Sequence, residues 1–457
     1  MTQAERLAEF AVKASYEDLS EEARRQIKLL VLDSIGCALG SLGAEPIRFV
    51  REQVDEFGGG RHCTLIGGGK TAPDRAAFYN GALVRYLDFN DSYLGAAGTA
   101  HPSDNLAPVL AAAEYAGGSG RDFMAALALA YQVQCRLCDV AEVWAKGYDH
   151  TVPGSYAVAA GASRALGLSQ AQAAHAIAIS GAAFNGLRVT RTGTISHWKG
   201  LAYPSTAAGC LHAAFLAKRG VSGPLEVFEG NSGFIEVISG PFELDWSKED
   251  LEKVTSVCIK KYNGGIYAQS AIEGALELKS EGGFPAEEIE QIEIGIYDRA
   301  YNVVGGGLSG NKHDIQNKET ADHSLPYMVA AALLDDQLMP AQYETDRLLA
   351  PDVQSLLRKI VVVHSEDCTR RYPAELPCEI RITLRGGESF EKEKSAYEGF
   401  FTHPMSWDSV VRKFERLAEP HVSSALMGEI ADAAQRLDSI SAGELIALLS
   451  SAGTLQK

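Results

Sequence analysis

Residues Tyr86 to Asp104 read YLDFNDSYLGAAGTAHPSD. Three carboxylates and an imidazole, Asp88, Asp91, His101 and Asp104, fall in this stretch, and the chain around it is rich in Ala and Leu. Between Asp91 and His101 runs Leu94-Gly95-Ala96-Ala97-Gly98, small residues without apolar periodicity, which predicts a loop. A loop between helices that carries an Asp, a His and a Pro is a common way to mount a site on a rigid scaffold. Asp104 reads as a cap for the helix that follows, and Asp88 fits a cap as well.

Outward from this stretch the texture is helical. Thr2-x-x-Glu5 forms a capping box, and Ser20 precedes EEARRQIKLLVLDSIGCALGSL, where Ile27, Leu30, Val31 and Ile35 recur at helical spacing. Gly40 is a stop signal near its end. Residues 73–88 and 104–146 read as helices, the second run apolar on most faces and therefore buried. Cys135 and Cys138 fall inside that run, where two packed thiols are expected and a redox pair is not. His150, just ahead of Thr151 and Pro153, stands at a helix entrance, where backbone N–H groups can face an anion. Ser169-x-x-Gln172 caps a further helix. The GGGKT at 67–71 lacks the upstream Gly of a phosphate loop, and Cys63 to Ile66 reads as a short extended piece.

Residues 185–199 form a loop rich in hydroxyls and cations: Arg188, Arg191, Thr192, Thr194, Ser196, His197 and Lys199. In a chain of net charge −17, such a basic loop suits a carboxylate or phosphate, and Arg188 and Arg191 are candidates for binding it. Pro204 is read as leading into the next Ala-rich helix.

The texture changes near residue 258. IEQIEIGIYDRA alternates with Ile292, Ile294 and Ile296 on one face, and KIVVVH at 359–364 and CEIRITLR at 378–385 read as strands. KETADHSLPYMVAAALLDD is a capped helix start with Pro326 in its first turn. From Pro404 the chain reads as helix again. The expected fold is mainly α: residues 1–258 and 398–457 build a large helical domain, and 259–397 form an inserted, smaller α+β domain.

At 457 residues the chain is too long for one simple core. The 46% hydrophobic content is ordinary for a globular protein, and no apolar run reaches the length of a membrane span. The acidity argues against a nucleic-acid partner. The N-terminus lacks the basic and apolar regions of a signal peptide, and the eight cysteines are scattered, so a reduced, cytoplasmic protein is expected.

The sequence resembles the MmgE/PrpD family over nearly its whole length. The resemblance rests on LDSIGCALGS at 32–41, YLDFNDSYLGAAGTAHPSDNLAPVLAAAE at 86–114 and YDHT around His150. It rests equally on SHWKGLAYP at 196–204, KKYNGGIYAQSAIEGALEL at 260–278 and KETADHSLPYMVAAALLD at 318–335. It implies a helical domain, an α+β lid, a homodimer, a site between the domains, and chemistry without metal or organic cofactor. It also implies a small di- or tricarboxylate substrate and a lyase reaction, with dehydration of 2-methylcitrate, a step of propionate catabolism, as the leading case. Decarboxylation of cis-aconitate and epimerisation of an imino-dicarboxylate stand beside it, as does a carboxylate-binding protein with reduced catalysis.

The positions that match the family's site are Asp91, His101, His150 and Lys199 in the helical part and Tyr327 in the lid. Dehydratase-like members tend to carry a His where this chain has Tyr267, with Gln269 nearby, and both are candidates for touching substrate. A His oriented by an Asp suits the base, since imidazole titrates near working pH. Asp91 with His101, and His150 with Lys199, are therefore read as two working pairs. Metal ligation by His101, His150 and Asp91 lacks any HxxxH or HExxH spacing.

Overall fold

The computed structural model describes residues 1–193 and 195–453, so Thr194 of the basic loop lies outside the described residues. The protein is mainly α, with small sheets. It divides into two compact units. The first comprises Met1–Thr190, Gly200–Val257 and Ser406–Lys457, and the second Arg191–Lys199 and Cys258–Met405.

In the first unit the capping signals hold. Thr2 and Glu5 close a capping box on helix Gln3–Lys13, Ser20 caps Glu21–Gly40, and Ser169 with Gln172 boxes Gln170–Ala183. Each satisfies backbone N–H groups that a helix start leaves without partners. The apolar run after Asp104 is two helices, Leu106–Ala116 and Gly120–Val140. The break is Gly117, whose φ of 67° lies in the left-handed region that ends helices. Helix Gly120–Val140 buries every residue from Phe123 to Cys135, with Cys135 and Cys138 both inside and free. Helix Thr151–Ala165 starts directly after His150. The last long helix of the basic region begins at Trp198, earlier than Pro204 suggests, and carries Pro204 within it. Around GGGKT the chain forms a two-residue hairpin, Cys63–Thr64 against Lys70–Thr71, and the three glycines supply its positive-φ turn.

The second unit is built on a four-stranded sheet in the order Ile360–His364, Ile289–Ile296, Cys378–Leu384, Ser389–Lys394. The first pair is parallel and the other two are antiparallel. Helix Gln269–Gly282 packs on the last two strands and against helix Leu325–Asp335. Ile292, Ile294 and Ile296 are buried between them, and Pro326 sits in the first turn of its helix. Strand Ser389–Lys394, SFEKEK, has no apolar alternation to announce it; it is an edge strand whose charges keep other chains from pairing with it.

Two boundaries differ from the expected domains. Arg191–Lys199 belongs to the second unit, because the Lys199 ammonium is ion-paired with Asp322. The second unit also extends past 397 to Met405: Ile259 N–H donates to the Gly399 carbonyl and the Tyr397 hydroxyl to the Ile259 carbonyl.

Candidate active site

Within the first unit, strand Tyr93–Leu94 pairs with Thr99–Ala100 and folds the small-residue loop back on itself. This brings Asp91 and His101, ten positions apart in sequence, side by side. The contact between them is not the one expected. His101 Nδ1 lies 2.7 Å from the backbone carbonyl oxygen of Asp91 and 3.1 Å from Ser92 Oγ. A carbonyl can only accept, so Nδ1 carries the proton and Nε2 is left basic. The Asp91 carboxylate accepts instead from Ser103 N at 3.0 Å, Ser103 Oγ at 2.6 Å and Tyr131 Oη at 2.8 Å. Burial dominates those hydrogen bonds and pushes the Asp91 carboxyl up to about 7.

The carboxylate facing the His101 imidazole is Asp88, with Oδ1 3.9 Å from Nε2. Asp88 is buried at a φ of 54° and accepts a 2.7 Å hydrogen bond from Arg85 Nη1. Asp104 is no cap. It is buried inside the short turn Pro102–Asn105 and accepts from Asn90 Nδ2 at 3.0 Å. Its Oδ2 stands 3.6 Å from His150 Nε2 and 3.7 Å from Arg85 Nε. A buried carboxylate needs a cation to offset its lost hydration, and the buried Arg85 stands beside it.

His150 Nδ1 lies 2.8 Å from Asp149 Oδ1, a carboxylate that fixes the ring with its Nδ1–H donating. The His150 ring meets the His101 ring edge to face at 5.5 Å and stacks on Tyr203 at 5.7 Å. Tyr203 Oη in turn donates to Asn105 Oδ1. His150 Nε2 is buried and takes no hydrogen bond from the described residues. Two imidazoles thus stand together, each with Nδ1 tied to an oxygen acceptor and Nε2 near a carboxylate. His101 is half-buried while its neighbours are closed off. That arrangement can take a proton at one nitrogen and deliver one from the other.

Lys199 lies in the second unit, where Nζ donates to Asp322 Oδ1 at 2.7 Å. Lys318 Nζ and His323 Nδ1 approach the same carboxylate at 3.1 and 2.6 Å. Burial alone would raise Asp322, but Lys199, Lys318 and His323 outweigh it and hold the carboxyl well below its ordinary range. Within its own unit the carboxylate partner of Lys199 is Asp322. Arg191 Nη1 donates to the Lys199 carbonyl, which shapes the segment. Arg188, in the first unit, lays its guanidinium 4.3 Å over the Trp144 ring.

Three candidates of the second unit have structural partners. Gln269 is fully buried; its Oε1 accepts from the N–H groups of Lys261 and Tyr262, and its Nε2 donates to the carbonyls of Tyr262 and Gly264. That occupies its amide and makes it the clamp of the loop before its helix, not a substrate ligand. Tyr327 is fully buried and donates to the Gln342 carbonyl, and burial pushes its hydroxyl well above its ordinary value. It holds the fold of its unit and is not presented to a ligand. Tyr267 is nearly buried, its ring edge-on to Tyr297 at 6.2 Å, in a cluster with Arg299 and Tyr372.

Sequence reading missed Arg85, Asn90, Asp149 and Asp322 as parts of these networks. The available signals were an Arg three residues before an Asp at the end of an apolar helix, and an Asp directly before each of His150 and His323. The Asp91 carboxylate is engaged by Ser103 and Tyr131, and Nδ1 of both histidines by oxygen acceptors.

A discontinuous helical unit carrying buried imidazole–carboxylate pairs, with an α+β unit inserted in its chain, defines a specific class of mainly α proteins. The chain belongs to the MmgE/PrpD family: the MmgE/PrpD N-terminal domain matches residues 5–247 and the MmgE/PrpD C-terminal domain residues 262–438. It is 28% identical over 422 residues to the cis-aconitate decarboxylase of Mus musculus, covering 87% of this chain and 82% of that protein. It is 28% identical over 407 residues to the mitochondrial 2-methylcitrate dehydratase of Yarrowia lipolytica, covering 84% and 77%. With the 2-methylcitrate dehydratase of Salmonella typhimurium it shares 26% identity over 388 residues, covering 78% and 77%. No single helix among the described residues is long and apolar enough to cross a membrane.

Proposed function

We propose that this protein is a cofactor-free lyase of small di- or tricarboxylates, and that its reaction is the dehydration of 2-methylcitrate or a close analogue. The observation that carries the reading is the pair His101 and His150, 5.5 Å apart. Dehydration next to a carboxylate removes a proton from one carbon and a hydroxide from its neighbour. It therefore asks for a base and an acid side by side. His101, with Nδ1 held by the Asp91 carbonyl and its ring half-buried, suits the base. His150, backed by Asp149 and near Asp104, suits the acid that protonates the departing hydroxide. Lys199 keeps in this reading the role of a cation for a substrate carboxylate. The relatives named as 2-methylcitrate dehydratases support the assignment.

Decarboxylation of cis-aconitate is the second reading. It is favoured by Tyr267, which puts a phenol where dehydratase-like members tend to have an imidazole, and by the similarity to the mouse decarboxylase. The eight cysteines, all buried and none in a disulfide, support a reducing, cytoplasmic setting, and a homodimer belongs to the same proposal.

The test is a proton-NMR assay of the chelator-treated protein with 2-methylcitrate, citrate, cis-aconitate and iminodisuccinate. Loss of water from 2-methylcitrate supports the first reading. Loss of CO₂ from cis-aconitate with 2-methylcitrate untouched replaces it by the second. Binding of these acids without turnover of any would make the chain a carboxylate-binding protein.

A further inference from the structure

We propose that Lys413 and Asp33 are positioning residues of the candidate site: their buried ion pair grips the Phe89 carbonyl and fixes the turn that aims Asp88 at His101 and Asp91 at Ser103 and Tyr131. Lys413 Nζ lies 2.6 Å from Asp33 Oδ1, donates to the Phe89 carbonyl at 2.9 Å, and sits 3.8 Å from the centre of the Phe89 ring. Lys413 is 6% exposed and Asp33 1%. Phe89 is the residue between Asp88 and Asn90, so this one ammonium holds the backbone from which Asp88, Asn90 and Asp91 fan out.

The two charges come from opposite ends of the chain, and the fold is shaped to bring them together. Helix Trp407–Ala418 lies on helix Glu21–Gly40, and Gly36 and Gly40 of the latter let it come close. A Cβ at Gly36 would stand 3.2 Å from the Phe414 Cα, and one at Gly40 would stand 3.1 Å from a Leu417 methyl. Asp33, Gly36 and Gly40 lie three and four residues apart and so share the face on which Lys413 lands. The turn itself needs a holder. Asp88 is a non-glycine residue at a φ of 54°, a conformation that persists only where its surroundings over-determine it. A buried ion pair is a poor choice for stability alone, since apolar residues of equal volume serve as well or better. A geometric duty accounts for its presence here.

The inference concerns the site on which the proposed function rests, and its test separates the two. Two double variants of the full chain are compared. Asp33→Asn with Lys413→Met removes both charges and the donor; Asp33→Asn with Lys413→Gln removes both charges and keeps a donor for the Phe89 carbonyl. On whichever substrate the wild type converts, the Met variant should lose about 100-fold in kcat, as misplacement by about an ångström does, with KM little changed. The Gln variant should recover at least tenfold of that loss. Equal kcat in the two variants overturns the proposal, since a merely structural pair would move both alike. Should the Met variant not fold, a folded Gln variant that keeps the Phe89 contact and lies within about tenfold of wild-type kcat upholds it, and one that keeps the contact but lacks activity overturns it. If the wild type converts none of the four acids, crystal structures of the two variants decide. Asp88 and Asp91 displaced in the Met variant and unmoved in the Gln variant uphold the proposal. Both carboxylates unmoved in both variants end it.

Discussion

His101 places Nδ1 2.7 Å from the backbone carbonyl oxygen of Asp91, while the Asp91 carboxylate turns away to Ser103 and Tyr131. The main chain, and not the side chain, of Asp91 therefore sets the tautomer of the imidazole. This division separates the roles of the two residues and leads to different expectations for each.

For His101 the expectation is catalytic. His101→Gln should lower kcat by about 10² to 10⁴-fold, the usual worth of a positioned acid or base. The His101 ring is only half-buried, and the thermal midpoint should stay close to that of the wild type. Undiminished kcat in a folded variant would remove His101 from the mechanism.

For Asp91 the expectation is a pH effect on stability. Burial raises its folded-state value to about 7, above an unfolded value of about 3.9. The folded state then holds more protons than the unfolded state between those values, so the contribution of Asp91 to stability is full below the unfolded value and is lost as pH rises through 7. Asp91→Asn lacks this titration. The stability gap between wild type and variant should shrink from pH 4 to 7 and level off above. Chemical denaturation across that range measures it, and a gap independent of pH would contradict the assignment.

Asp322 titrates in the opposite sense. Its folded-state value is held below the unfolded one, so its contribution is present above about pH 4 and fades as the medium becomes more acid. Asp322→Asn leaves Lys199 buried without its carboxylate, a change that typically costs about 3 to 5 kcal/mol. The loss should be plain at pH 7 in a denaturation curve and should narrow toward pH 3. A variant as stable as the wild type at neutral pH would show that Lys199 is readily solvated.

Gln269 and Tyr327 separate structure from ligand binding. Gln269→Ala strips partners from buried backbone groups and should destabilise the protein by about 1 to 3 kcal/mol. Tyr327→Phe removes a single hydrogen bond and should cost about 1 kcal/mol, with kcat and KM near wild type. A large rise in KM without loss of stability in either variant would return that residue to the substrate.

The sequence by itself determined the helical texture of the first unit, the caps at Thr2, Ser20 and Ser169, three of the four strands of the sheet and the position of both imidazoles at a loop and a helix entrance. Those features follow from interactions within a turn or between adjacent residues, as with Thr2 and Glu5 or Ser169 and Gln172, and local chemistry leaves a periodic trace. Strand Ser389–Lys394 left no such trace, because it is an edge strand with no buried position and four charges among its six residues. Which partner each polar group finds was decided by the tertiary structure. Asp104 reads as a cap until Arg85 and His150 are seen to close around it. Gln269 reads as a ligand until its amide is seen to be spent on its own loop. Lys413 is an ordinary helical lysine in sequence, and it meets Asp33 and the Phe89 carbonyl only after more than three hundred intervening residues have folded between them. A hydrogen bond is set by distance and angle in space, and buried donors and acceptors must be satisfied by whatever the packing brings near.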